Sequence, residues 1–124
     1  MDQSKRDIYE RIYKFAVNTI LYIRKFPKTL EASVIAKQLI RSAKSICANA
    51  QEADGSESKA EFIHRFSIAK KEAKETSYWL RISEEVLGID NSDLRKEVRE
   101  ITLILSAIIK KIKFGSSKFE NLRI

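Results

Sequence analysis

Leu94, Val98, Ile101, Leu105, Ile108 and Ile112 recur at alternating steps of four and three, the spacing that places side chains on one face of an α-helix. Three earlier segments carry the same signature. Ile8, Ile12, Phe15, Thr19 and Ile23 form the first stripe; Ile35, Leu39, Ala43, Ile46, Ala50 and Ala53 form the second. Phe62, Phe66, Ala69, Ala73, Leu80 and Leu87 form the third. A helix with one apolar face must bury it against another element. Four such faces in 124 residues predict an all-α protein. Because the connections are short, successive helices should reverse direction, giving an antiparallel up-down-up-down four-helix bundle.

Stop and start signals divide the stripes. The first helix is expected from about Lys5 to Lys25, closed by Pro27, which removes a donor and restricts Phe26. Thr29 suits the N-cap of the second helix, with Glu31 set against its dipole; Gly55 should end it. Ser58-Lys59-Ala60-Glu61 is a capping-box pattern opening the third helix, and Gly88 supplies its stop. Asp90, Asn91 and Ser92 are alternative caps for the fourth helix, which should end by Gly115. We expect one bundle domain over residues 1–115, followed by a tail at 116–124. That tail, with Phe119, Leu122 and Ile124, is expected to be flexible or to dock on a neighbouring subunit.

Composition narrows the class of function. The chain is 44% apolar and 33% charged, too apolar for disorder, and its three Gly and one Pro are too few for the turns of a sandwich or barrel. No apolar run reaches the ~20 residues of a membrane span, and the start, MDQSKRD, lacks the features of a signal peptide. The lone Cys47 has no internal disulfide partner and reads as a small buried residue of a reducing compartment. A cytoplasmic location, with no membrane partner, is the expectation. The net charge of +7 and pI near 9.6 favour polyanionic partners: RNA, DNA or an anionic membrane face, of which the nucleic acids are the expectation.

No reaction chemistry is legible. Phosphate loops, nucleophile elbows and Cys-His pairings are missing, so the sequence predicts no catalytic residues, no cofactor and no enzyme activity. One His and one Cys do not build a zinc site. A di-iron bundle needs two Glu-x-x-His motifs, whereas this chain has one, Glu61 to His64. We expect no metal and an exposed His64. Glu52, Asp54, Glu57 and Glu61 cluster at the turn between helices two and three. In an up-down bundle Lys110, Lys111 and Lys113 share that end, and mutual neutralisation accounts for the cluster.

Two sets of side chains remain. Gln38, Ser42, Ser45, Asn49 and Glu52 run beside the apolar face of helix two, and Glu75 lies close to the inward positions of helix three. Polar groups flanking a core fix helix register through hydrogen bonds, since each one left unpaired costs ~1–3 kcal/mol; a ligand site is the alternative. The second set is basic. Lys37, Arg41 and Lys44 share one face of helix two; Lys70, Lys74 and Arg81 share one of helix three. Arg24, Lys25 and Lys28 end helix one. Such rows either track phosphates or are simply the solvated face of a bundle. No aromatic side chain is expected to interleave with them as a base-stacking platform, so sequence-specific reading is not expected.

The stretch Gln38-Leu39-Ile40-Arg41-Ser42-Ala43-Lys44-Ser45-Ile46, followed by Ala48-Asn49-Ala50-Gln51-Glu52, resembles the bacterial four-helix-bundle family named for proteins encoded in intervening sequences of 23S rRNA genes. The likeness continues through Glu61-Phe62, Ile68-Ala69, Glu75, Trp79-Leu80 and Gly88-Ile89, from about Arg6 to Lys113. Ala53 stands where family members usually carry the glycine after Glu52, and Lys71-Glu72 where many carry Gly-Ser. The resemblance implies a left-handed up-down-up-down bundle, commonly a ring-like homopentamer, without known enzymatic activity. The chain is also similar to the accessory protein of diversity-generating retroelements, a basic pentameric bundle that binds nucleic acid and its reverse transcriptase. Gln38, Arg41, Ser45, Asn49, Glu52 and Glu75 match the family pattern, as either a register-fixing network or an intersubunit contact.

Self-assembly has a second support in the residues themselves. Helix four is apolar on a further stripe, Leu103, Ile104 and Ile109, and helix one on Tyr9, Tyr13, Val17 and Ile20. A helix apolar around much of its circumference is buried on more than one side, and head-to-tail contacts that close make rings. The expected function is therefore a non-enzymatic, self-assembling bundle that holds RNA or DNA on basic faces. The alternative is a protein-binding adaptor, with a reverse transcriptase or another protein as partner.

Overall fold

A computed structural model describes residues 3–115, with side chains from Ile8 onward. They form four helices and no strand: α1 (Gln3–Ile23), α2 (Leu30–Asp54), α3 (Lys59–Leu87) and α4 (Ser92–Phe114). The expected tail at 116–124 lies outside the described residues.

Local chemistry sets most of the boundaries. Thr29 Oγ1 accepts from the Ala32 backbone N–H at 3.2 Å, and Ser58 Oγ from that of Glu61 at 3.1 Å. Each satisfies one of the donors a helix start leaves unpaired. Gly88 ends α3 in the left-handed region, φ 71°, which a residue with a Cβ enters at a cost. The end of α1 and the capping of α4 differ from expectation. Helix α1 stops at Ile23 rather than Lys25, because Pro27 bars Phe26 from helical geometry. The chain then tightens into three-residue bonds from the amides of Arg24, Lys25 and Phe26. Asn91 occupies the N-cap of α4 without a side-chain cap bond; its amide turns inward instead.

The four stripes meet in one core. Ile8, Ile12, Phe15, Leu39, Ile46, Phe62, Phe66, Leu80, Val98, Ile101, Leu105 and Ile112 are buried. On α2 and α3 the buried positions include Ala43, Ala50, Ala53, Ala69 and Ala73, so those two backbones approach closely and share the broadest seam of the molecule. Across it Ser42 meets Thr76 while, further along α2, Asn49 meets Arg65. That order is the one given by two helices running in opposite directions. Leu87, Leu94 and Ile108 sit at the margin, half-buried against the core.

Helix α1 departs from its expected stripe in one telling way. Tyr22, not Ile23, takes the last inward position. Its hydroxyl lies 2.8 Å from Ser83 Oγ and donates to the Ile89 carbonyl at 3.0 Å. Asn91, only 3% exposed, donates to Leu80 O (2.7 Å), Tyr22 Oη (2.9 Å) and Ser83 Oγ (3.0 Å). Arg95 reaches back to Asn91 Oδ1 at 2.9 Å while pairing with both oxygens of Glu84. A phenol brings a partner requirement into the core, and this knot satisfies it.

Candidate functional site

The helical register dictates where the polar stripe of α2 goes. Ser42 is fully buried against Thr76, 2.8 Å apart. The family-pattern residues divide into two groups. Arg41 Nε donates to Gln38 Oε1 at 3.4 Å, and its guanidinium pairs with Glu72 at 3.3 Å and with Glu75. Two turns further along, Asn49 Nδ2 donates to the Ser45 carbonyl (2.9 Å) and hydroxyl (3.1 Å), and Asn49 Oδ1 accepts from Arg65 at 3.3 Å. Glu52 is exposed and joins neither group. Glu72 and Arg65 escape a reading of the sequence, although Glu72 and Glu75 flank the inward Ala73 at helical spacing.

This geometry breaks the basic row of α2. Lys37 and Lys44 remain exposed, but Arg41 between them faces two carboxylates from α3. The row of α3 is different. Among the described residues no carboxylate comes within ion-pair distance of Lys70 or Lys74, and Arg81 has only an exposed pair with Glu85 at 3.6 Å. Pairs that open to water are worth ~0–1 kcal/mol, so Arg81 stays available. Contrary to expectation, an aromatic does stand in this row: Tyr78, 62% exposed, lies between Lys74 and Arg81. Core periodicity overlooks it, because Tyr78 directly precedes the core-packed Trp79 and falls on the outward side.

Other places offer less. His64 is exposed on α3, and among the described residues no cluster of His, Cys, Asp or Glu is arranged to hold a metal. A groove between α1 and α2 is lined by Tyr9, Glu10, Tyr13, Cys47, Gln51 and Asp54. Burial pushes the Cys47 thiol up from its ordinary value, which leaves little thiolate near neutrality. Among the described residues no helix is long and apolar enough to cross a membrane.

The four-helix arrangement has a counterpart among known proteins. The sequence model of the 23S rRNA-intervening sequence protein family matches residues 4–110. The chain belongs to that family. A crystal structure of a protein of unknown function from the S23 ribosomal protein family, from Bacteroides thetaiotaomicron, superposes with a TM-score of 0.79. It is 32% identical, over 86% of this chain and 97% of the other. No curated protein matches the chain. The family match spans all four helices, including both polar groups of α2 and the basic row of α3.

Proposed function

We propose that this protein is a cytoplasmic, non-enzymatic scaffold, an up-down-up-down bundle that assembles into a closed ring, pentameric as its family resemblance implies. Its ligand is RNA or DNA, held without reading base sequence. The observation that carries this reading is the division of charge. Arg11, Arg41 and Arg95 are taken up by carboxylates of neighbouring helices, whereas Lys37, Lys44, Lys70 and Lys74 have none within ion-pair distance among the described residues. Such lysines bind phosphate by releasing counterions, and a ring multiplies weak contacts into useful avidity.

The apolar surface supports assembly. Tyr13, Val17, Ile20 and Leu21 leave a continuous side of α1 open, Tyr13 being 55% exposed. A second copy of the chain is the occupant we assign to it. The test is mass measurement in solution at low and high salt, with and without RNA, together with Lys37→Glu/Lys44→Glu and Lys70→Glu/Lys74→Glu variants. Expected are a closed oligomer, salt-sensitive retention of RNA and loss of that retention on charge reversal. RNA binding indifferent to salt, or a monomer at every concentration, refutes the proposal.

A further inference from the structure

We propose that the outward face of α3 is a platform for unpaired bases, so that the nucleic acid held here is single-stranded. This rests on the polyanion reading above and narrows it to one strand class.

Lys70, Lys74, Tyr78 and Arg81 recur along α3 at steps of four, four and three and share roughly a quarter of its circumference on the outward side. The face thus has cations along its length and a phenol among them. Lys70 to Arg81 covers about 16 Å at 1.5 Å per residue. Tyr78, 62% exposed, stands within that track. Beside Tyr78, the Trp79 ring is anchored in the core and stands edge-on to the phenol, 6.2 Å away at 75°.

A duplex offers such a face only its phosphates; the flat surfaces of its bases are hidden in the stack. Tyr78 would then lie against a charged backbone, gaining nothing. A single strand offers phosphates and bare base faces together. Lysine and arginine can follow its backbone while a base stacks on the phenol, the combination by which sequence-indifferent single-strand binders work. Of the nearby carboxylates, Glu84 is committed to Arg95 and Glu75, one turn from Tyr78, to Arg41, while the exposed Glu85 pair leaves Arg81 available.

The experiment uses the full chain and two fluorescent probes, read by anisotropy. One is an oligo-dT of about twenty nucleotides, longer than the ~4–16-nucleotide footprint of a single groove; the other is its duplex with oligo-dA. Oligo-dT should bind more tightly than the duplex. Tyr78→Ala should weaken oligo-dT by about 5- to 150-fold and leave the duplex unchanged, while Tyr78→Phe keeps parental affinity. Lys74→Ala should lower the log–log salt slope for oligo-dT by about 0.7. The assembly mass of Tyr78→Ala should equal that of the parent, because Tyr78 serves the ligand and not a subunit contact. Equal affinity for both probes, or indifference to Tyr78→Ala while Lys70→Glu/Lys74→Glu abolishes binding, overturns the platform and spares the polyanion reading. A Tyr78→Ala protein that falls to monomers overturns it in favour of a subunit interface. Failure of both probes to bind removes the polyanion reading itself.

Discussion

Replacing Asn91 by alanine tests whether the inward turn of the α4 N-cap holds three helices together. The Asn91 amide has two N–H protons shared among Leu80 O, Tyr22 Oη and Ser83 Oγ, at 2.7 to 3.0 Å, and its carbonyl accepts from Arg95 at 2.9 Å. That amounts to about three hydrogen bonds, each worth ~0.5–1.5 kcal/mol net. The neighbours are not stranded by the loss. Tyr22 still donates to the Ile89 carbonyl, Ser83 still donates to Leu80 O, and Arg95 keeps Glu84. The full penalty for orphaned buried groups therefore does not apply, and the Arg95 bond, open to water, is discounted. We expect Asn91→Ala to cost about 2–3 kcal/mol, or a fall in Tm of about 8–12 °C for a domain of this size. Guanidinium unfolding at fixed protomer concentration measures it directly. Asn91→Asp keeps the shape but replaces the donor facing Leu80 O with a carboxylate, and should lose at least as much. A cost under ~0.5 kcal/mol for Asn91→Ala, with an unchanged denaturant slope, would refute the view that this knot stabilises the fold.

Gly55 and Gly88, each next to a helix end, should respond with opposite signs. Gly88→Ala forces a Cβ into φ 71° and should cost ~1–2 kcal/mol, whereas Gly55, at φ −89° with the nearest neighbouring atom 3.8 Å from where a methyl group would stand, should gain ~0.4–1 kcal/mol as alanine; equal effects in urea unfolding contradict the backbone argument. Thr76→Val should cost ~1 kcal/mol, and the Ser42→Ala/Thr76→Val pair less than the sum of its single changes, because removing both partners of a buried hydrogen bond leaves nothing unpaired; strict additivity in the same assay opposes this. Cys47 should react with iodoacetamide at pH 8 more slowly than a free thiol and match it once unfolded, since burial raises its pKa above 9.0 and lowers the thiolate fraction; equal rates in the folded protein would rule out that shielding.

The fold is legible in the sequence because its signals are local. Helical spacing names the buried positions of α2 and α4 almost residue by residue, and Thr29, Ser58 and Gly88 act through atoms one turn away. Contacts between helices are less legible. The pairing of Arg41 with Glu72 and Glu75, and of Asn49 with Arg65, depends on how α2 and α3 are rotated against each other, which periodicity within one helix does not encode. The inward Tyr22 is hidden for the same reason: its partners Ser83 and Asn91 lie 61 and 69 residues away in sequence. Tyr78 escapes because periodicity points to the core and leaves the outward positions unread.

The alanine-lined seam between α2 and α3 has a consequence for how the chain reaches this state. Its contacts join residues separated by a short turn, such as Ser42 and Thr76, 34 positions apart, while Arg11 and Glu97, joining the first helix to the last, are 86 apart. Closing the smaller loop sacrifices less chain entropy, so this central hairpin, the broadest seam of the molecule, forms before the first and last helices meet. Ala69→Gly should then retard refolding, and Val98→Ala should chiefly hasten unfolding.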